Sequence, residues 1–163
     1  MERTDVTPAE SASAKQSSKG SPHLVCGKIA AGKSTLAKQL ASRPHTVILS
    51  EDVWLARLYP DELRSISDYV RLSERLRAAM EAHIVALLQS GTPVVLDFPS
   101  STLNARAWDR SISEKAGASQ YLHFLDVPDE ECKQRLHLRN SSGDNPFQTT
   151  DDRATQAGPA QGH

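Results

Sequence analysis

From residue 23 onward, short apolar runs alternate with longer stretches whose apolar residues recur at helical spacing. His23-Leu24-Val25-Cys26 is a compact run closed by Gly27, the pattern of a buried strand. Lys33 to Ala41 follows with Leu36 and Leu40 on one face, which predicts a helix. Pro44 punctuates, and Thr46-Val47-Ile48-Leu49 reads as a second buried strand. Ser67 to Gln89 predicts a long helix, because Leu72, Leu76, Met80, Ile84 and Leu88 repeat every four residues, and Gly91 stops it. Thr92-Pro93-Val94-Val95-Leu96 predicts a third strand ending at Asp97. Leu103, Ala107, Trp108 and Ile112 share one stripe of a helix that runs to about Ala116, with Gly117 behind it. Tyr121 to Leu125 predicts a fourth strand. Pro128 then opens a helix whose first turn holds Asp129, Glu130 and Glu131, where the helix dipole favours acids.

Strands alternating with helices predict an α/β domain, with a parallel sheet covered on both faces in three α/β/α layers. Right-handed crossovers bring the carboxyl ends of all strands to one edge, where such sheets bind ligands. Gly27, Asp52 and Asp97 each stand at or just beyond such an end, so residues far apart in sequence are expected to meet there. Residues 1–21 are rich in Ser, Thr, Ala and Lys without apolar periodicity and are expected to form a disordered leader. The folded domain is expected over 22–147. Residues 148–163 show neither strand nor helix pattern and are expected to be a disordered tail.

Composition changes this picture little. At 163 residues the chain fits one domain, with 38% hydrophobic and 24% charged residues, as in ordinary globular proteins. The net charge of −1 gives no clear nucleic-acid signal, although a local basic patch would survive such an average. No stretch has the length of a membrane-spanning helix, and the N-terminal residues lack the apolar run of a secretory signal. Two cysteines, Cys26 and Cys132, make neither a disulfide framework nor a metal site, and both read as small core residues. The expected address is the cytoplasm. The sequence gives no oligomeric state.

The chemistry enters with Gly27-Lys28-Ile29-Ala30-Ala31-Gly32-Lys33-Ser34, followed by Thr35. This is G-x-x-x-x-G-K-S between a buried strand and a helix, the Walker A or P-loop pattern. Glycines let the backbone approach phosphates, successive amides cradle the oxygens at a helix N-terminus, Lys33 reaches the β- and γ-phosphates, and Ser34 offers a hydroxyl to Mg²⁺. The bland reading, a glycine-rich turn with an incidental lysine, explains neither the spacing nor the context. The expected fold is therefore that of a P-loop NTPase, and the expected ligands are ATP and Mg²⁺.

Asp52, just after the second strand, is placed to take or orient the proton of an attacking hydroxyl. Adjacent Glu51 could serve instead, and the plainer alternative makes Asp52 the N-cap of a helical turn over Val53–Leu58. Asp97 closes an apolar strand in the manner of a Walker B acid and would hold Mg²⁺ or contact substrate, the alternative being a mere strand-end acid. Arg135 and Arg139 stand one helical turn apart on the helix after the fourth strand, and Ser141-Ser142-Gly143-Asp144-Asn145-Pro146 is then expected to form a flexible turn. They read either as a lid closing on the transferring phosphate or as solvated surface arginines. Arg106 is a minor candidate for substrate contact, and a surface salt bridge is its simpler role. His83 and His123 read as packing or surface histidines. Trp54 and Trp108 are expected in the core, with a place in the pocket beside Asp52 as the alternative for Trp54.

Together these segments resemble the small bacterial P-loop kinases of the zeta-toxin-like and chloramphenicol-phosphotransferase-like group. The likeness rests on residues 23–35, on Leu49-Ser50-Glu51-Asp52, on Val95-Leu96-Asp97-Phe98-Pro99, and on Asp126-Val127-Pro128 through Arg135 and Arg139-Asn140. It spans roughly 22–147. It implies transfer of the ATP γ-phosphate to a hydroxyl of a small molecule, with the acid at Asp52 as base or anchor and Arg135 and Arg139 at the phosphate. It does not carry over an acceptor. Members of the group continue past the lid into a further strand and helix. Residues from Gln148 onward lack that pattern, so the last strand is expected to be missing. Two rival functions follow: a nucleotide-binding protein with little turnover, and an ATPase.

Overall fold

The structure is a computed structural model that describes residues 18–142. Most of the expected leader, the whole of the expected tail, and Gly143 to Pro146 of the expected lid turn lie outside the described residues. Residues 18–21 are placed. The Gly20 amide donates to the Leu88 carbonyl at 2.8 Å, and the Ser21 carbonyl accepts from the Val94 amide at 3.2 Å. Gly20 passes so close to Thr92 that a Cβ would lie 2.1 Å from its carbonyl oxygen, so only glycine fits.

Among the described residues nine elements follow in order: β1 (Pro22–Gly27), α1 (Lys33–Ala41), β2 (Val47–Ser50), α2 (Glu51–Leu58), α3 (Ile66–Gln89), β3 (Val94–Asp97), α4 (Leu103–Ala116), β4 (Tyr121–Leu125) and α5 (Asp129–Ser142). Among the described residues the strands form one parallel sheet in the order β2-β3-β1-β4. Parallel pairing forces every crossover through a helix, which the alternation of patterns anticipates. The sheet's two faces are covered differently. Val25 and Val95 pack against Ala37 and Leu40 of α1 on one side. Leu24, Leu49, Val94 and Leu96 pack against Ile84 and Leu88 of α3 and Ile112 and Ala116 of α4 on the other. These are the three expected layers.

Local chemistry sets the helix ends. Thr102 caps α4 by accepting from the Ala105 amide, and Ser65 caps α3 by accepting from the Asp68 amide. Gly91 and Gly117 follow α3 and α4 with φ of 92° and 60°, so the expected glycine stops are observed. Helix α5 continues through Ser142, which corrects the expected turn: Ser141 and Ser142 extend the helix that carries the two arginines. Trp54 also departs from expectation. It is 40% exposed on α2, outside the core, whereas Trp108 stacks on Phe98 with ring centroids 5.4 Å apart. Tyr121, Leu122 and Phe124 of β4 are exposed.

Candidate functional site

The register of the sheet builds the site. Strands β2 and β3 pair so that Ser50 stands opposite Asp97, and β1 ends beside β4 with Gly27 opposite Leu125. The loop from Gly27 to Gly32 therefore rises over the same edge that carries Ser50, Glu51, Asp52 and Asp97. Gly32 is the N-cap of α1 with φ of 98°, a left-handed conformation that glycine adopts without strain. It turns the chain into α1 so that the free amides at the helix start face the loop's hollow.

Lys33 folds back across that hollow. Its ammonium donates to the carbonyls of Gly27 at 2.7 Å and Lys28 at 2.8 Å. Burial lowers its pKa, against the opposing influence of Asp97. The loop is braced from outside by α5. Lys28 donates to the Val127 carbonyl at 3.3 Å and pairs with Asp129, and Arg135 donates to the Ala31 carbonyl at 3.3 Å while pairing with Glu131. The structure thus brings Arg135 to the loop. Arg139 is close enough that its charge lowers the pKa of both Lys33 and Asp52. Its Nε is buried without a hydrogen-bond partner among the described residues.

Ser34 and Asp97 meet at the carboxyl edge of the sheet. The Ser34 hydroxyl donates to Asp97 Oδ2 at 3.3 Å, and the Ser50 hydroxyl donates to the same oxygen at 3.1 Å. A hydroxyl and a carboxylate oxygen converging beside a phosphate-binding loop are hard donors of the kind Mg²⁺ takes alongside substrate phosphates. These residues fit that ion. Among the described residues there is no cluster of three or more His, Cys, Asp or Glu able to hold a metal by itself.

Asp52 lies in the first turn of α2, one residue further in than a cap. The N-cap is Ser50, whose side chain is committed to Asp97. The capping alternative for Asp52 is therefore set aside by the geometry. The carboxylate stays accessible to water, yet the protein mass around it dominates. Burial first, then the charges of Glu51 and Asp97, push its pKa above the ordinary carboxylate range. A group so poised holds a proton more readily than a surface aspartate.

Glu51 is a different residue altogether. It is 0% exposed and fully engaged: Tyr69 donates at 2.9 Å, Ser73 donates to the same oxygen, and Arg77 donates to the other from Nε at 3.1 Å and Nη2 at 3.0 Å. It has no lone pair facing the phosphate loop to spare for a substrate, so the alternative that Glu51 replaces Asp52 loses its footing. Arg77 continues to the Pro99 carbonyl at 2.8 Å and lies over the rings of Phe98 and Trp108 at 5.4 and 5.1 Å. Neither Tyr69, Ser73 nor Arg77 stands out in the sequence reading. Their spacing of four is the one signal available, a polar row beside the apolar Leu72 and Leu76.

The remaining candidates are placed less centrally. The charge of Arg106 reaches Cys26, near the floor of the loop. Ile29, Ala30 and Thr35 belong to the loop and the first turn of α1 without a side-chain polar contact of their own. His123 shares a 3.1 Å hydrogen bond with His23 and lies on β4, at the other edge of the sheet from β2, the strand that leads into Asp52. It is not part of this site.

Comparisons with known proteins agree with this geometry. The chain matches the AAA domain family over residues 23–157, past residue 147 where the sequence pattern expects the domain to end. No curated protein matches it. Among solved structures it resembles a chain of the Pnkp1/Rnl/Hen1 complex at 25% identity, with a TM-score of 0.59, covering 72% of this chain and 39% of that one. A chain of the Pnkp1/Rnl/Hen1 RNA repair complex matches at 22% identity and a TM-score of 0.67, covering 90% and 47%. The Mycobacterium tuberculosis APS kinase, solved with AMPPNP and APS, matches at 22% identity and 0.60, covering 88% and 85%. The chain spans less than half the length of the two repair-complex chains it resembles.

Proposed function

The chain belongs to the AAA domain family, and from that premise we propose that it is a small-molecule kinase, transferring the γ-phosphate of ATP to a hydroxyl. One observation supports the reading above the others. The charges of Asp97 and Arg139 act on both Lys33 and Asp52, so side chains from four separate elements are gathered at one place. A nucleotide-binding loop alone needs no second carboxylate, poised to hold a proton, beside the first.

In this reading the loop amides and Lys33 hold the triphosphate, and Lys33 exchanges its two carbonyl partners for phosphate oxygens. Ser34 and Asp97 would hold Mg²⁺, which neutralises charge on the phosphates when bound. Asp52 orients the acceptor hydroxyl and takes its proton as the oxygen bonds to phosphorus and the bond to ADP breaks. Arg135 and Arg139 supply positive charge to the transferring group. The finer placement with zeta-toxin-like and chloramphenicol-phosphotransferase-like kinases belongs to this proposal, as does a cytoplasmic address, with which the free Cys26 and Cys132 agree. Among the described residues no helix is long and apolar enough to cross a membrane.

The test is γ-labelled ATP with Mg²⁺ and two acceptor arms, a metabolite extract and a 5′-hydroxyl RNA. Label on a small molecule supports the proposal. Label on the RNA alone moves the acceptor class to nucleic acid. Free phosphate without labelled acceptor supports an ATPase, and nucleotide binding without any release supports a protein with little turnover. Mg²⁺-ATP should raise the melting temperature, and Lys33→Ala should abolish that rise. A full rise in the variant overturns the phosphate-binding role itself.

A further inference from the structure

The Glu51 cluster reaches the candidate reaction site through Tyr69. The Tyr69 hydroxyl lies 2.9 Å from Glu51 Oε1 and 3.4 Å from Asp52 Oδ1, so it stands between a buried, immobile carboxylate and an accessible one. Glu51 is fixed by Arg77, and Arg77 is fixed by the Pro99 carbonyl and by the rings of Phe98 and Trp108. Tyr69 is therefore held at both ends of its environment: its ring packs with Leu55, Leu72 and Leu76, and its hydroxyl is tied to the buried pair. Burial and the two neighbouring carboxylates keep the phenol protonated, and its one proton is shared between the short contact to Glu51 and the longer one to Asp52.

We propose that Tyr69 is a positioning residue for Asp52, transmitting the fixed geometry of the buried Glu51–Arg77 pair to the carboxylate that faces the acceptor. The proposal rests on Asp52 being that carboxylate. Asp52 sits on the first turn of a helix of eight residues, and its side chain has no other hydrogen-bond donor among those the structure gives it. A short aspartate on a helix end samples several rotamers in water. Transfer in line with a phosphate tolerates little misplacement of the group that aims the hydroxyl. Tyr69 supplies the restraint from α3, seventeen residues away in sequence. It does so without adding a positive charge, which would make Asp52 a poorer base.

Two measurements test this, one independent of turnover. The first is a double-mutant cycle on unfolding with Tyr69→Phe and Asp52→Asn, against a control cycle with Ser73→Ala and Asp52→Asn. Direct contact predicts coupling of about twofold to fivefold in the unfolding equilibrium constant for the Tyr69 pair and none for Ser73, which touches only Glu51. Equal coupling in both cycles, or none in either, overturns the proposal. The second is the labelled-ATP transfer assay. Tyr69→Phe should lower turnover at least tenfold, with the KM for ATP and the Mg²⁺-ATP melting shift unchanged. Loss of turnover with a raised KM would mean a general loosening of the site and would overturn the positioning role. If the cycle shows coupling but no acceptor is ever labelled, the contact stands and the kinase reading falls.

Discussion

Replacing Glu51 by glutamine should be among the most damaging conservative changes in this protein. Glutamine keeps the shape and can still accept from Tyr69 and Ser73, but it removes the charge opposite Arg77. Both partners lie away from water, with side-chain exposures of 11% for Arg77 and 1% for Glu51. Removing one member of such a pair leaves the other charge buried and unpaired, which costs about 3–5 kcal/mol. The cost should sit near the upper end, because Arg77 Nη1 already has no hydrogen-bond partner among the described residues. For a domain of this size, each kcal/mol moves the melting temperature by roughly 2–4 °C, so the fall should be on the order of 10 °C. Differential scanning calorimetry at neutral pH measures it directly. The same physics predicts that Glu51→Leu with Arg77→Met recovers most of the loss, since no charge is then left without a partner. A Glu51→Gln protein melting within about 1 °C of the parent would refute the reasoning. So would a double variant no more stable than the single one. The Mg²⁺-ATP shift should survive in Glu51→Gln, because Glu51 faces α3 rather than the phosphate loop.

Three further outcomes are expected. Asp52→Asn should abolish phosphate transfer in the labelled-ATP assay while leaving ATP binding, read by calorimetry, nearly unchanged; loss of both would assign Asp52 a structural role. His23 has its pKa lowered, first by burial and then by the charges of His123 and Arg43, so the folded state binds fewer protons than the unfolded chain. Its contribution to stability is present above the ordinary histidine pKa and is lost as pH falls through that range. Melting temperatures should therefore drop between about pH 7 and pH 5.5, and His23→Gln should flatten that slope. Leu72→Ala, in the cluster that packs α2 against α3, should cost about 2–5 kcal/mol in denaturant unfolding; a loss below about 1 kcal/mol would show that this cluster does not anchor α2.

How much of this was legible in the sequence depends on the kind of constraint. The phosphate loop is legible because its glycines and lysine answer a chemical need at fixed spacing, and no tertiary contact is required to read them. Asp97 is legible because an apolar run ending in an acid marks the carboxyl end of a strand. Asp52 is half legible: its position after β2 is clear, but only the structure shows that Ser50 takes the cap position and that Asp52 meets Tyr69 instead. Tyr69, Ser73 and Arg77 were not read at all. They lie on the buried side of a helix whose leucines already explain its phase, and their partner Glu51 is a residue of α2. A polar row inside a buried stripe gains meaning only when the facing helix is known. The two lid arginines show the opposite error, since the serines that suggested a mobile turn belong to α5 itself.

The fold of Lys33 onto the carbonyls of Gly27 and Lys28 has a thermodynamic consequence. The loop arrives at its ligand already shaped, so little chain entropy is lost when phosphates enter. The enthalpy, however, is a difference: two charge-assisted hydrogen bonds to carbonyls must be surrendered before the ammonium meets a phosphate. Calorimetric titration should then show a modest heat for an interaction that looks strong on paper. The same two bonds make Lys33 part of the free protein's own scaffold, so its removal should cost stability even where no nucleotide is present.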